Sequence, residues 1–513
     1  MSLAKKTLDG LKWSYVFTVL NVIAQLGLTV ILARILTPND YGLVGMGNVI
    51  LRFGSYLAQM GIGQSLIQRN EIDKKNVFTA YVLTLVLSTF FYLIIFVLAP
   101  LSQYVFSNAE VINIIRILGI NLVFNSIAIV PISLLRVNYK YRLLGTIDFI
   151  AFIVGNGVVG ICMAAYGFGV WSLVAAVLVQ GTIQLILTFY FTREYFGFIR
   201  VHIDSAKKFL NYGSRHTIGT FLEIIMYNTD YIIVGHYFKE SVLGIYSRAS
   251  LLVQLPSQYI SANLIKVLFP TLNEVKSDKG RFVKYYQSVN YLLGFVLFGV
   301  CIFISVYAED IVHVLLGSKW NEAAPILRII ALVVPFNLLI NYNGLVYDVF
   351  AHLNKKILIK MFHMIVLVSL FFLFKSSGLK GIAFAYLITE VFFYFVYSIV
   401  SYRMLKIDVA SILKSNAPFL YIIIVVGSVS LLVQYGCHYI TFSNTIRIIG
   451  EMTCAPFLIM LVFLVYTPRL VKVSIIEVVP FSLLNQNRYF NYLLGIKIFR
   501  KYWDQNWNLS STV

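Results

Sequence analysis

Apolar stretches of about 20 residues, each long enough to cross a hydrocarbon core about 30 Å thick as a helix, recur along the chain from Trp13 to Tyr466. A backbone in lipid must satisfy its polar groups within its own segment, so this feature makes the chain an all-α polytopic membrane protein. The composition points the same way: 59% of residues are hydrophobic and 12% charged, against about a quarter charged in soluble domains. An ordinary water-soluble enzyme is thereby excluded. Lys5, Lys6 and Lys12 precede the first apolar stretch, as in a cleaved leader, but the stretch runs on to Leu36 without a small-residue cleavage site and is expected to remain as a span.

The hydropathy pattern predicts about fourteen transmembrane helices. They fall near 12–36, 41–66, 78–100, 114–135, 147–168 and 170–191, then 214–238, 243–269, 286–308, 324–350, 357–377 and 381–402, then 417–437 and 446–467. The net charge of +19 raises the question of a nucleic-acid partner, and the placement of the charges answers it. Basic residues gather in alternate loops: Arg69, Lys74 and Lys75; Arg136, Lys140 and Arg142; Arg193 to Arg215; Lys266 to Lys284; Lys355, Lys356 and Lys360; Arg403, Lys406 and Lys414. That is the positive-inside pattern, so both termini are expected to be cytoplasmic, in a cell (inner) membrane, with no nucleic-acid surface. Cys162, Cys301, Cys437 and Cys454 show neither zinc-site nor disulfide spacing, and no metal site is expected.

The sequence also repeats itself. RILGINLVFN at 116–125 matches RIIALVVPFN at 328–337, Gly169 matches Gly381, and ILARILTPNDYGL at 31–43 resembles IVGHYFKESVLGI at 233–245. Each copy holds six spans, an even number, so the copies share one orientation, and parallel repeats place a substrate path between them. The expected organisation is a first lobe over 1–191, an amphipathic connector over 192–213, a second lobe over 214–403, a helix pair over 404–467 and a basic, aromatic tail over 468–513. The tail either lies on anionic lipid or is disordered.

Two six-helix lobes with a trailing pair resemble the multidrug/oligosaccharidyl-lipid/polysaccharide exporter superfamily, whose lobes are MATE-like. NTDYIIVGHYFKESVLGIYSRASLLVQLPSQYISANLIKVLFPTL at 228–272 is similar to the second-lobe signature of its polysaccharide-transporter branch, the Wzx-type flippases. LARILTPNDYGL and GIGQSLIQR resemble the first-lobe counterpart. The resemblance implies a central cavity opening alternately to either side. It implies a polyprenyl-pyrophosphate-linked oligosaccharide as cargo, and pathway glycosyltransferases and a polymerase as partners.

Ionisable side chains inside spans are costly and usually face a cavity or a partner. His216, Glu223 and Asp230 recur at seven-residue spacing on one helix and so share a face. Facing a cavity, the carboxylates would hold the coupling ion, H+ or Na+, or gate access; the other reading is a structural pair bonded to neighbouring helices. Arg52 and Arg248 also lie within spans, with Arg34 and Arg116 nearer the rim. Guanidinium groups suit a pyrophosphate by two-point hydrogen bonding, although Arg248 could instead pair with Asp230 or Glu223. Asn21 and Gln25, four apart, either bond sugar hydroxyls or hold helices together. Asp348, His352, His363 and Glu390 have no assigned role. No cofactor is expected.

A membrane enzyme of the same pathway is disfavoured: the loops are short, and neither an Asp-x-Asp motif nor a nucleotide-binding glycine loop occurs. A multidrug or cation antiporter of the same superfamily is the nearer alternative, with cargo that arginines in the cavity would repel.

Overall fold

A backbone this apolar satisfies its polar groups locally, and every regular element among the described residues is helical. The computed structural model describes residues 3–68, 73–106, 108–197, 201–408, 411–439, 447, 450–451 and 453–459; some side chains within the helices, mainly before residue 12 and between 212 and 267, also lie outside the description.

The chain opens with α1 (Leu3–Ile35), α2 (Pro38–Gln59), α3 (Ile62–Ile67), α4 (Lys74–Leu98), α5 (Ser102–Phe106), α6 (Glu110–Val137), α7 (Tyr141–Phe152), α8 (Ile161–Ala165) and α9 (Val170–Thr192). Then come α10 (Ile203–Tyr237), α11 (Glu240–Glu274), α12 (Lys279–Val306), α13 (Ala308–Leu315), α14 (Ala323–Val349), α15 (Leu353–Phe374), α16 (Gly378–Leu405) and α17 (Ser411–Tyr439). Among the described residues nine helical stretches are long and apolar enough to span a membrane. The second helix of the trailing pair is described only in part, with 453–459 helical, and the tail over 468–513 lies outside the described residues.

Three boundaries differ from the sequence expectation. The second span does not run unbroken to 66: Met60 and Gly61 adopt positive φ of 40° and 59°, and the chain restarts as α3. The turn presents the Met60 carbonyl to Gly213 of α10, where a Cβ would stand 1.9 Å from that oxygen, so only glycine permits the approach. The fifth span contains a π-helical stretch, Ile153–Gly160, where Gly155 lies against the Ala176 carbonyl of α9. The connector has no break before the seventh span, because α10 is continuous from Ile203. In its 203–213 part Lys207 and Lys208 are exposed, while Phe209 is fully buried with Ile62, Leu66, Val77 and Leu134.

The chain packs as two compact units. The first comprises residues 1–255 with 312–323 and 375–382; the second comprises 256–311, 324–374 and 383–513. In the first, α6 packs against α2, α4 and α9. The second is built around buried aromatic rings, including Tyr286, Tyr342, Tyr394, Tyr397 and Tyr402. There the Tyr286 hydroxyl donates to Asn343 Oδ1 at 2.5 Å, and Asn343 Nδ2 donates to Ser398 Oγ at 3.1 Å, so polar groups buried in this core are bonded to one another.

Candidate functional site

Within the first unit, α2, α10 and α11 bring three of the ionisable residues singled out in the sequence into one region. Arg52 of α2 remains exposed, and its Nη1 donates to Asn228 Oδ1 of α10 at 2.8 Å. The same guanidinium lies 5.7 Å from the centre of the Tyr231 ring. Tyr231 meets the ring of Tyr246 edge to face at 5.5 Å, and the Tyr246 hydroxyl donates to Asp230 Oδ2 at 2.7 Å. Arg248 of α11 stacks its guanidinium 4.3 Å over the ring of Tyr41, and its Nε is buried without a hydrogen-bond partner.

Among the described residues Arg248 and Asp230 form no ion pair, since Tyr246 donates to Asp230 and Arg248 stacks on Tyr41; the side chain of Glu223, the other partner the sequence left open for Arg248, lies outside the described residues. Asp230, 5% exposed, is bonded across to the next helix. Removing its donor leaves a buried carboxyl group short of a partner, so Tyr246→Phe is expected to cost about 1.5–3 kcal/mol. A fall of several degrees in the thermal midpoint of the purified protein, followed by tryptophan fluorescence, checks this. An unchanged midpoint contradicts the bond's weight.

The remaining candidates sit elsewhere. Arg116 donates to the Phe96 carbonyl at 3.4 Å and stacks on that ring at 4.7 Å, while Asn21 and Gln25 are half-buried on α1. His216 and Glu223 belong to α10, but their side chains lie outside the described residues. Arg34 donates to the Val314 carbonyl at 2.8 Å, and it forms part of a larger arrangement.

At the end of the unit where α1 and α10 finish, the matched strings 31–43 and 233–245 meet one another. A Cβ on Gly42 would stand 1.8 Å from the Glu240 carbonyl oxygen, and a Cβ on Gly244 would stand 1.8 Å from that of Pro38. Gly42 and Gly244 occupy matching positions in the two strings, as do Pro38 and Glu240, so α2 and α11 cross in a reciprocal contact about a local pseudo-two-fold axis. Arg34 and His236 match as well. Arg34 bonds Val314 of α13, and His236 Nδ1 lies 2.6 Å from the carbonyl of Val105 of α5. α5 and α13 are the short helices following α4 and α12, so α1 is tied to α13 and α10 to α5. Trp320 Nε1 donates to the Ala33 carbonyl at 2.8 Å on one side, and Asn108 Nδ2 bonds Glu240 Oε1 on the other. At Gly42 and Gly244 the two helices meet backbone to backbone, and side-chain bonds flank the crossing.

Sequence reasoning missed Asn228, Tyr231, Tyr246 and Tyr41. The repeat offered the signal for the seal, since Gly42 and Gly244 match, but sequence alone does not show that matched positions touch.

A family model described as "Polysaccharide biosynthesis protein" matches residues 31–325. The teichuronic acid biosynthesis protein TuaB of Bacillus subtilis is 22% identical, covering 67% of this chain and 71% of that protein. The lipopolysaccharide biosynthesis protein WzxC of Escherichia coli is 25% identical, covering 65% and 68%. The fold is similar to that of the lipid II flippase MurJ in an inward closed conformation, with a TM-score of 0.66 and 14% identity, over 88% of this chain and 98% of that one. It is also similar to an inward-facing multidrug resistance MATE family transporter, at 0.56 and 15%, over 74% and 94%.

Proposed function

The chain belongs to the polysaccharide biosynthesis protein family, and from that premise we propose that it is a flippase carrying polyprenyl-pyrophosphate-linked oligosaccharide repeat units across the cell membrane by alternating access. The observation that supports this reading best is Arg52, an exposed guanidinium on α2, in the segment that the sequence reads as the second span. It is held by the neutral Asn228 and the face of Tyr231, and among the described residues it forms no salt bridge. A cation facing lipid would be costly, so this one fits a polar passage and an anionic cargo. Arg248, stacked on Tyr41 with its Nε unbonded, supplies a second positive charge on a neighbouring helix. Two guanidinium groups suit a pyrophosphate in two-point geometry, and the same charges repel the cationic drugs of the alternative antiporter reading.

In this reading both termini are cytoplasmic, and the crossing of α2 with α11 is the outer seal. With the seal closed, cargo enters from the cytoplasmic side. Outward release requires Gly42 and Gly244 to part and the ties of Arg34, Trp320 and His236 to break. Deleting the gene in its host tests the reading: lipid-linked repeat units should accumulate on the cytoplasmic leaflet, with loss of the surface polysaccharide. Normal surface polysaccharide in the deletion strain would overturn it.

A further inference from the structure

In the second unit, α15 and α16 carry a buried pair that the functional reading so far does not use. His363 Nε2 lies 3.3 Å from Glu390 Oε1, with the two side chains 8% and 3% exposed. At 1.5 Å per residue the two lie about 15 and 18 Å from the starts of their helices, near the middle of a hydrocarbon core about 30 Å thick. The imidazole stacks flat on Phe393, with ring centres 4.2 Å apart and planes 7° apart. Asn337 of α14 donates to the same Glu390 Oε1 at 3.4 Å, and Asn341 donates to Asn337 Oδ1 at 3.3 Å. Glu390 Oε2 is buried with no hydrogen-bond partner.

This geometry serves an ionised carboxylate poorly. Both donors reach one oxygen, both at long range, and the other oxygen has none, although a buried charge is stable only when well paired and fully hydrogen-bonded. Other charges close to the pair on the same helices are already committed: Lys356 of α15, two turns before His363, is paired with Asp348 of α14 at 2.7 Å. Lys360 lies one turn before His363, and Tyr386 and Tyr394 lie one turn to either side of Glu390, the Tyr394 hydroxyl donating to Asn416 of α17 at 2.7 Å.

We propose that His363 and Glu390 form a proton-exchange site whose occupancy drives transport. The inference rests on the transporter reading and adds the coupling ion and its seat. The step is a proton transfer alone: a proton from one side of the membrane binds the pair and neutralises Glu390, and its release to the other side restores the charge. A mechanical link is present in α14, where Pro335 removes the hydrogen bond to the carbonyl four residues earlier. Asn337, two residues further on, bonds the carboxylate whose charge changes, so the proton sets how firmly α16 holds the turn after that break.

Two measurements on the reconstituted full chain test the proposal. In proteoliposomes with a lipid-linked oligosaccharide, wild-type protein should accumulate cargo when a pH gradient is imposed. Glu390→Gln and His363→Gln should lose at least about tenfold of that accumulation while still equilibrating cargo downhill, and Glu390→Asp should keep partial coupling. Without cargo, the infrared difference spectrum between acidic and alkaline protein should contain a protonated-carboxyl band that Glu390→Gln removes. Gradient-driven accumulation by a folded Glu390→Gln protein would overturn the proposal, as would a band that persists in it or transport driven by sodium and indifferent to pH. Absence of any cargo movement by the wild type would instead overturn the transporter reading, and the infrared band would then report a proton site without a transport role.

Discussion

Gly42→Ala and Gly244→Ala are each expected to reduce transport by about ten- to a hundredfold while leaving the chain inserted and folded. At either position a methyl group would stand 1.8 Å from a carbonyl oxygen of the opposing helix, a separation that no rotamer change relieves because the obstacle is backbone. Overpacking of this kind costs about 1–3 kcal/mol, and each 1.4 kcal/mol is a tenfold change in an equilibrium. The cost falls only on the conformation in which α2 and α11 touch, so the substitution acts on a population of states rather than on folding. Cysteine labelling in a background free of the four native cysteines reads that population. Leu243→Cys, at a position fully buried beside Gly45, should react faster with a membrane-impermeant maleimide once Gly42→Ala is added. Equal labelling rates together with normal transport would show that the crossing is not a seal.

The second large effect is expected at the arginines. Arg52→Gln keeps a side chain able to bond Asn228 but removes the charge, and flipping of a pyrophosphate-linked substrate should fall by about ten- to a hundredfold, the range of one charge-assisted hydrogen bond. Arg52→Lys should recover only part of the loss, because an ammonium lacks the fork that grips two phosphate oxygens. Arg248→Gln should give a similar loss, with a separate penalty from the lost stacking on Tyr41. Initial rates in proteoliposomes distinguish these outcomes. A folded Arg52→Gln protein that flips at the wild-type rate would remove Arg52 from the substrate path.

The helical class was legible because apolar runs of about 20 residues satisfy their backbone in lipid as helices, whereas barrel strands are about half as long; Gly42, Arg116 and Asn125 each have a match later in the sequence. Local breaks were not legible. The end of α2 at Met60 depends on Gly213, more than 150 residues away, and the π-helical stretch at 153–160 depends on glycines meeting α9. Charges within spans could be counted from sequence, but their partners could not. Asp230 looked equally suited to Arg248 and to a bound ion, and its observed partner, Tyr246, was one of many aromatic residues in the apolar background. Arg34 read as a rim charge for cargo, whereas the structure uses it to tie α1 to Val314. His363 and Glu390 were visible as ionisable residues without a role, because sequence spacing does not show that two helices meet at those positions.

A flippase must by itself move a lipid-linked glycan between leaflets. Purified protein in proteoliposomes, loaded with a polyprenyl-pyrophosphate oligosaccharide and probed with an externally added lectin, measures this directly. Wild-type protein should expose the protected inner-leaflet pool to the lectin, and Arg52→Gln should expose it far more slowly. An inner pool that stays protected with wild-type protein, as in protein-free vesicles, would contradict the account.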